Sequence, residues 1–438
     1  MITAIAFLLI NIIGTVLAFS KGPFWALLVY ANIYFNSPHP DVNWWANYLP
    51  DIRWSLVAFI VLAVSMFFHR DKLSTHEFLS LKWMYVFLVL TVIVTSENAV
   101  DPETSKDYTY MLFTFCVIVF ALVRSIATFE TLKYFILAII IFCSNLSVKA
   151  VLEGKRIHAR LENIGTFDSL GSNEFGLLLA GVLPFVLPFL LFGKKTERVI
   201  CLLAIPLLIN AIVLTNSRTA LVSLVFGGLY GFAFVADLKF KKYIITFLLM
   251  LIPAFVYLAD EYFTERMSTL LIPDNASEET LDKISSGRLA IWGHGLAMAE
   301  DHPFGVGPGG FRALSRFYMP EEILVDKPDQ PYGARAAHNS YLLVLVEQGY
   351  LGLCVFLLLC FSTLYYLLKS IKLLRMMDKL HSFVGFMLFS LNVSFLTILI
   401  GGSLTSRVYY EFFWWQIALS MIGYSFVKKM SNEATGAG

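Results

Sequence analysis

Three basic side chains stand where predicted helices begin. Arg218 sits in TNSRTALVSL, Arg288 in SSGRLAIW and His338 in AHNSYLLVLVEQGYLG. The first turn of a helix carries unpaired backbone N–H groups and a partial positive charge, so an arginine there is locally unfavourable until an anion binds. Helix N-termini furnished with arginine make a phosphate site. Two such ends with a histidine alongside suit a diphosphate next to a proton acceptor. Singly, each residue has a plainer use, as an interfacial anchor, a solvated helix face or a helix cap. Their joint meaning depends on whether the chain threads them to one face.

The elements that must do the threading are membrane helices. The 438-residue chain is 58% hydrophobic and only 15% charged, with a mean hydropathy of +0.70, whereas soluble domains carry about 25% charged residues. The deficit runs along the whole chain, which predicts an all-α polytopic membrane bundle. The net charge of +1 gives no footing for nucleic-acid binding. Cys116, Cys143, Cys201, Cys354 and Cys360 all fall in apolar runs, where they read as helix-packing residues and not as a disulfide framework. The opening segment MITAIAFLLINIIGTVLAF lacks a basic start and a cleavage site, and reads as a retained span.

Candidate spans fall near 2–19, 23–37, 52–68, 83–96, 108–125, 131–150, 173–192, 199–215, 218–236, 243–259, 339–368, 382–400 and 410–427, which makes 12 or 13. The basic loops at 69–82, 193–198, 237–242 and 369–379 thread to one side, the cytoplasm. The acidic ENAVDPETSKD, residues 151–172 and the long polar stretch 260–338 thread to the other side, and so do Arg218, Arg288 and His338. Residues 1–259 and 339–438 are expected to be transmembrane, with 260–338 a helical loop subdomain on the outer face. In that loop Asn275 with Glu278 reads as a capping box, and Ser286 as the N-cap of a helix from Arg288 to about Glu300. Asp301, His302 and Pro303 should end that helix before the glycine-rich FGVGPGGF.

Other candidates on the same face are Arg156, His158 and Arg160, Asn339 beside the histidine, and Arg407 in LTSRVYYE. Glu347 lies nine residues past His338, about half a turn round and roughly 13 Å deeper on one continuous helix. That makes it a poor partner for His338 and assigns it to helix packing or a polar helix–helix contact. His294 and His302 are eight apart, which is not a ligand pair, and no D-x-D, G-x-S-x-G or P-loop occurs. No metal, nucleotide or other cofactor is expected.

Three stretches in order, NSRTALVSL, SSGRLAIWGHGLAMAEDHPFGVGPGGF and AHNSYLLVLVEQGYLGL, resemble the O-antigen ligase/polymerase superfamily of bacterial polysaccharide assembly. The resemblance implies a helical bundle of the GT-C type in the bacterial inner membrane. It also implies transfer of a glycan from undecaprenyl diphosphate to an acceptor hydroxyl on the periplasmic side. Arg218 and Arg288 would correspond to the family's diphosphate-holding arginines, and His338 to its essential histidine. RLENIGTFDSLGSNEFG resembles an earlier family segment, which makes Arg160 and Asn173 candidates of lower rank.

The chemistry agrees with that assignment. A glycosyl diphosphate already has a good leaving group, while the acceptor hydroxyl must lose a proton as it attacks, a task for a neutral imidazole. Two arginines nearby would keep His338 neutral and stabilise the departing diphosphate, and a single displacement would invert the anomeric carbon. The branches differ in acceptor: lipid A–core for a ligase, another carrier-linked glycan for a polymerase, Ser or Thr for a protein O-oligosaccharyltransferase. The compact loop and the lack of an extra C-terminal domain favour ligase or polymerase over protein glycosylation, and ligase comes slightly ahead as the commoner reading of this short form. A transporter of lipid-linked sugars would need more midspan ionisable groups than Glu347.

Overall fold

Apolar runs bounded by proline, aspartate and hydroxyl residues set the helix limits. Asp101 accepts from the Thr104 N–H ahead of Pro102, Thr128 forms a capping box with Thr131, and Ser217 and Ser382 cap the helices that follow them. The computed structural model describes residues 1–157, 160–235, 237–268, 287–324 and 333–435. Seventeen α-helices lie among them: α1 Ile2–Lys21, α2 Pro23–Phe35, α3 Trp54–Phe68, α4 Lys82–Glu97, α5 Pro102–Ser125, α6 Phe129–Leu152, α7 Ser172–Val182, α8 Val186–Phe192, α9 Lys195–Leu214, α10 Arg218–Tyr230, α11 Leu238–Leu258, α12 Glu261–Ser268, α13 Arg288–Asp301, α14 Gly310–Tyr318, α15 Ser340–Met376, α16 Phe383–Gly402 and α17 Glu411–Thr435.

The protein is an all-α polytopic membrane bundle, and all thirteen candidate stretches are helical. Among the described residues nine helical segments are long and apolar enough to cross a bilayer, and α2 and α3 are shorter apolar helices. The remaining two stretches are α11 and the aromatic-rich α17. One small exception to the all-α reading is an antiparallel hairpin, β1 Lys155–Ile157 with β2 Arg160–Glu162, pairing Ile157 with Arg160. α16 is buried almost all round and packs on α7, α8, α10, α15 and α17, the expected pattern for a helix that is apolar on every face. Large apolar side chains stay exposed on α1, α9 and α10 (Leu9, Ile13, Leu203, Phe226), as lipid-facing surfaces require.

The stretch 339–368 is not one uninterrupted helix. Gly349 has φ 68, and the chain breaks there inside α15. A Cβ at Gly349 would lie 2.4 Å from the Pro303 carbonyl oxygen, so only glycine lets the two backbones meet. The glycine-rich loop satisfies the peptide groups freed by the break. Val306 N–H donates to the Val346 carbonyl (3.1 Å), Gly307 N–H to that of Glu347 (3.0 Å), and Tyr350 N–H to that of Pro303 (3.1 Å). Before the break, α15 belongs to a second, smaller core. Leu342, Leu345 and Val346 pack there with Ile291, Met298, Phe311 and Met319 of α13, α14 and the segment after α14.

Candidate active site

Four helix starts build the site. Between α9 and α10, Asn216 takes φ 49, a left-handed conformation that asparagine tolerates better than most residues. Ser217 then caps α10: its Oγ accepts from the Ala220 N–H (3.2 Å) and donates to Asn173 Oδ1 (3.0 Å). Arg218 follows as the first residue of α10. Asn173, in the first turn of α7, thus braces the turn that presents Arg218.

α13 positions two of the three basic residues at once. Arg288 is its first residue, and the N-cap is Gly287 at φ 73. Ser286, expected as the cap, lies outside the described residues, as do Asn275, Glu278 and His158, while only the backbone of Arg156 is described. One turn beyond Arg288, Trp292 Nε1–H donates to the Ala337 carbonyl (3.0 Å) and holds the peptide just before His338. The expected C-terminus holds: the helix ends at Asp301, with His302 as C-cap.

His338 is half-buried with φ 47, a left-handed conformation that is costly for a histidine and common at functional sites. It is not part of the cap. Asn339 is the N-cap, accepting from the Tyr341 and Leu342 N–H groups (2.9 and 3.1 Å). Ser340 Oγ donates to the Thr405 carbonyl (3.0 Å) and accepts from the Arg407 N–H (2.8 Å). Arg407 Nη2 donates to the Glu174 carbonyl (2.8 Å), so this buried arginine ties the starts of α7 and α15 together.

His338 borders a cleft of about 350 Å³ whose walls include Asp168, Glu174, Arg312, Glu347, Tyr409 and Tyr410. Glu347, expected in helix packing or a polar helix–helix contact and not as a partner of His338, makes polar contacts and is not among the leading influences on His338. Its carboxylate accepts from the Gly309 N–H (2.8 Å) and the Tyr409 hydroxyl (2.6 Å), and it lines the same cleft as His338.

The cations gather as the sequence suggested, with additions. Burial pushes the Arg288 guanidinium below its ordinary range, and Arg218 and Arg160 push it the same way against Glu174. Arg266, on α12, is pushed down to about 10 by burial and then by Arg160, Arg218 and Arg288. Four arginines therefore act on one another as like charges. Nothing in DEYFTER marks Arg266 for this role; only the return of the chain after α11 brings it near. Arg160 contributes a buried Nε with no hydrogen-bond partner among the described residues.

His338 is pushed down to about 4, first by burial and then by Arg288, against the opposing pull of Glu174, with Arg312 and Arg335 adding to the depression. Arg288 acts as expected from the pair of arginines. Arg218 is not among the leading influences on His338, and Arg312 and Arg335 take that place. At neutral pH the imidazole is uncharged and can accept a proton.

Residues 202–357 match the family described as O-Antigen ligase, a segment containing Arg218, Arg288 and His338. The match supports the O-antigen ligase/polymerase superfamily for this segment of the chain. No curated protein matches the chain. The match supports a membrane glycosyltransferase of the ligase/polymerase type, with a lipid-linked glycan and an acceptor as substrates. Arg160, Asn173 and Arg407 lie outside the matched segment.

Proposed function

We propose that this protein transfers a glycan from undecaprenyl diphosphate to an acceptor hydroxyl at the periplasmic face of the bacterial inner membrane, as an O-antigen ligase acting on lipid A–core. The acceptor oxygen bonds to the anomeric carbon and its proton passes to His338. The bond from that carbon to the diphosphate oxygen breaks, and the diphosphate departs with the electron pair. Arg218 and Arg288 hold the departing anion, with Arg160 and Arg266 adding charge beside them. One displacement inverts the anomeric configuration.

The observation that carries this reading is the position of a neutral histidine between mutually repelling arginines and a polar cleft. A histidine near 4 is a weak base in the resting protein. A diphosphate bound to Arg288 offsets the positive charge that depresses it and raises its basicity when the donor is in place.

The test is transfer by detergent-purified protein from an undecaprenyl-diphosphate-linked glycan to rough lipopolysaccharide, in excess EDTA, for wild type and His338→Ala. Inverted product from wild type alone is the expected result. Lengthening of the donor glycan with none added to lipopolysaccharide would make the protein a polymerase. Activity retained by His338→Ala, or a product with retained configuration, would remove the mechanism.

A further inference from the structure

The cations acting on His338 come from two separate sets. Arg288 belongs to the first, with Arg160, Arg218 and Arg266. Arg312 and Arg335 act on His338 but are not among the charges acting on Arg266 or Arg288. Both are held by α14 and the chain that returns beneath it. Arg312 lies in the first turn of that helix. Ser315, three residues on, accepts from the Arg335 N–H (3.0 Å) and donates to the Gly333 carbonyl (2.9 Å).

The cleft beside His338 is where this second set can meet a ligand. Its volume of about 350 Å³ is at the small end of ordinary ligand pockets, roughly 300–1,000 Å³. Its three carboxylates are already engaged by protein donors. Asp168 accepts from Thr166, Tyr34 and the Glu411 N–H. Glu174 accepts from Thr405, and Glu347 from Gly309 and Tyr409. Arg312 lines the cleft from an exposed position and forms no ion pair among the described residues. Arg335 is half-buried, and its Nε has no hydrogen-bond partner among them.

We propose that this cleft receives an acceptor glycan carrying an anionic group, a phosphate or carboxylate near the reacting hydroxyl, which Arg312 binds. The proposal rests on the glycan-transfer reading and adds the acceptor's charge to it. It also gives the second set a function: cations beside a general base weaken it, and an anion on the acceptor cancels that effect. His338 then gains basicity only when both substrates are seated, which ties proton removal to occupancy and disfavours attack by water.

The experiment uses a phosphorylated core oligosaccharide and the same material after phosphatase treatment, with the full-length protein in detergent. Equilibrium binding and transfer are measured for wild type, Arg312→Gln and the double variant Arg312→Gln/Arg335→Gln. Wild type should bind the phosphorylated form roughly tenfold or more tightly, as a charge-assisted contact implies. Arg312→Gln should remove most of that preference and raise the acceptor KM without changing the donor KM. Arg312 is exposed, so its replacement leaves the core intact.

Equal binding of the two oligosaccharides by wild type overturns the proposal, and so does a preference that survives in the double variant. If both forms are glycosylated equally well, the charge proposal falls and glycan transfer stands. If the phosphorylated form binds preferentially but neither receives a glycan, the transfer reading falls and the charge preference stands.

Discussion

The two ends of the bundle handle buried charge in opposite ways. Near the start of α6, Lys133 pairs with Glu197 of α9 at 2.8 Å, with side chains 9% and 5% exposed. Glu197 also accepts from the Lys194 N–H, and the Lys133 ammonium lies over the Phe383 ring. The two buried charges partner each other, and the effect is to fasten three helices. At the other end Arg160, Arg218, Arg266 and Arg288 gather as like charges, a costly arrangement in a half-buried place. The ion pair fastens helices, whereas under the proposed function the gathered arginines receive a ligand of opposite sign. Arg407 shows that location alone does not decide, since it stands at the ligand end yet donates to backbone carbonyls as a structural tie.

Substitutions sharpen that contrast. His338→Ala should lower transfer by about 10²–10⁴-fold and leave the melting temperature close to wild type. A large loss of thermal stability instead would make the histidine structural. Lys133→Ala should cost about 3–5 kcal/mol of stability by leaving Glu197 buried and unpaired, with an unchanged donor KM in the protein that remains folded. Arg288→Ala should give the reverse pattern: a loss of about 10²–10³-fold in transfer and no loss of stability, because it removes a like charge. Destabilisation by Arg288→Ala as large as that by Lys133→Ala would erase the distinction between the two ends.

The smallest expected effect is on the pH profile. With His338 at about 4, the acid limb of kcat/KM, which reports the free protein, should fall as pH drops through about 4. It should not fall near the ordinary histidine value of about 6.5. The sign follows from the charges: protonation, which destroys the base, is opposed by burial and by Arg288, Arg312 and Arg335 and favoured by Glu174. Bound diphosphate offsets the cations, so the limb in kcat should lie at higher pH than the limb in kcat/KM. Arg335→Gln removes one of the cations and should shift the kcat/KM limb upward. Coincident limbs, or a downward shift in that variant, would break the link between the arginines and the base.

Much of this was legible in the residues. The apolar runs mark the helices because a bilayer leaves no alternative to internally hydrogen-bonded helices of sufficient length. Arg218 and Arg288 could be placed in first turns because capping signals are local. The cap reading fell on the histidine, whereas the structure gives the cap to Asn339. That Glu347 lines the cleft was not legible, because the cleft forms only where this helix meets Gly309 and Tyr409 from distant parts of the chain. Arg266, Arg312 and Arg335 went unnoticed because nothing in their neighbouring residues differs from an ordinary solvated arginine.

By itself, then, the sequence determined the all-α membrane bundle, the positions of the thirteen apolar helices and the helix starts at or beside Arg218, Arg288 and His338. These depend on hydrophobic length and on hydrogen bonds between residues a few positions apart. The tertiary structure alone decided which charges act on the histidine, which carboxylates face the cleft, and how the glycine-rich loop closes the break at Gly349. Those depend on the electrostatic and packing neighbours of groups far apart in the chain, and such neighbours exist only once the helices have met.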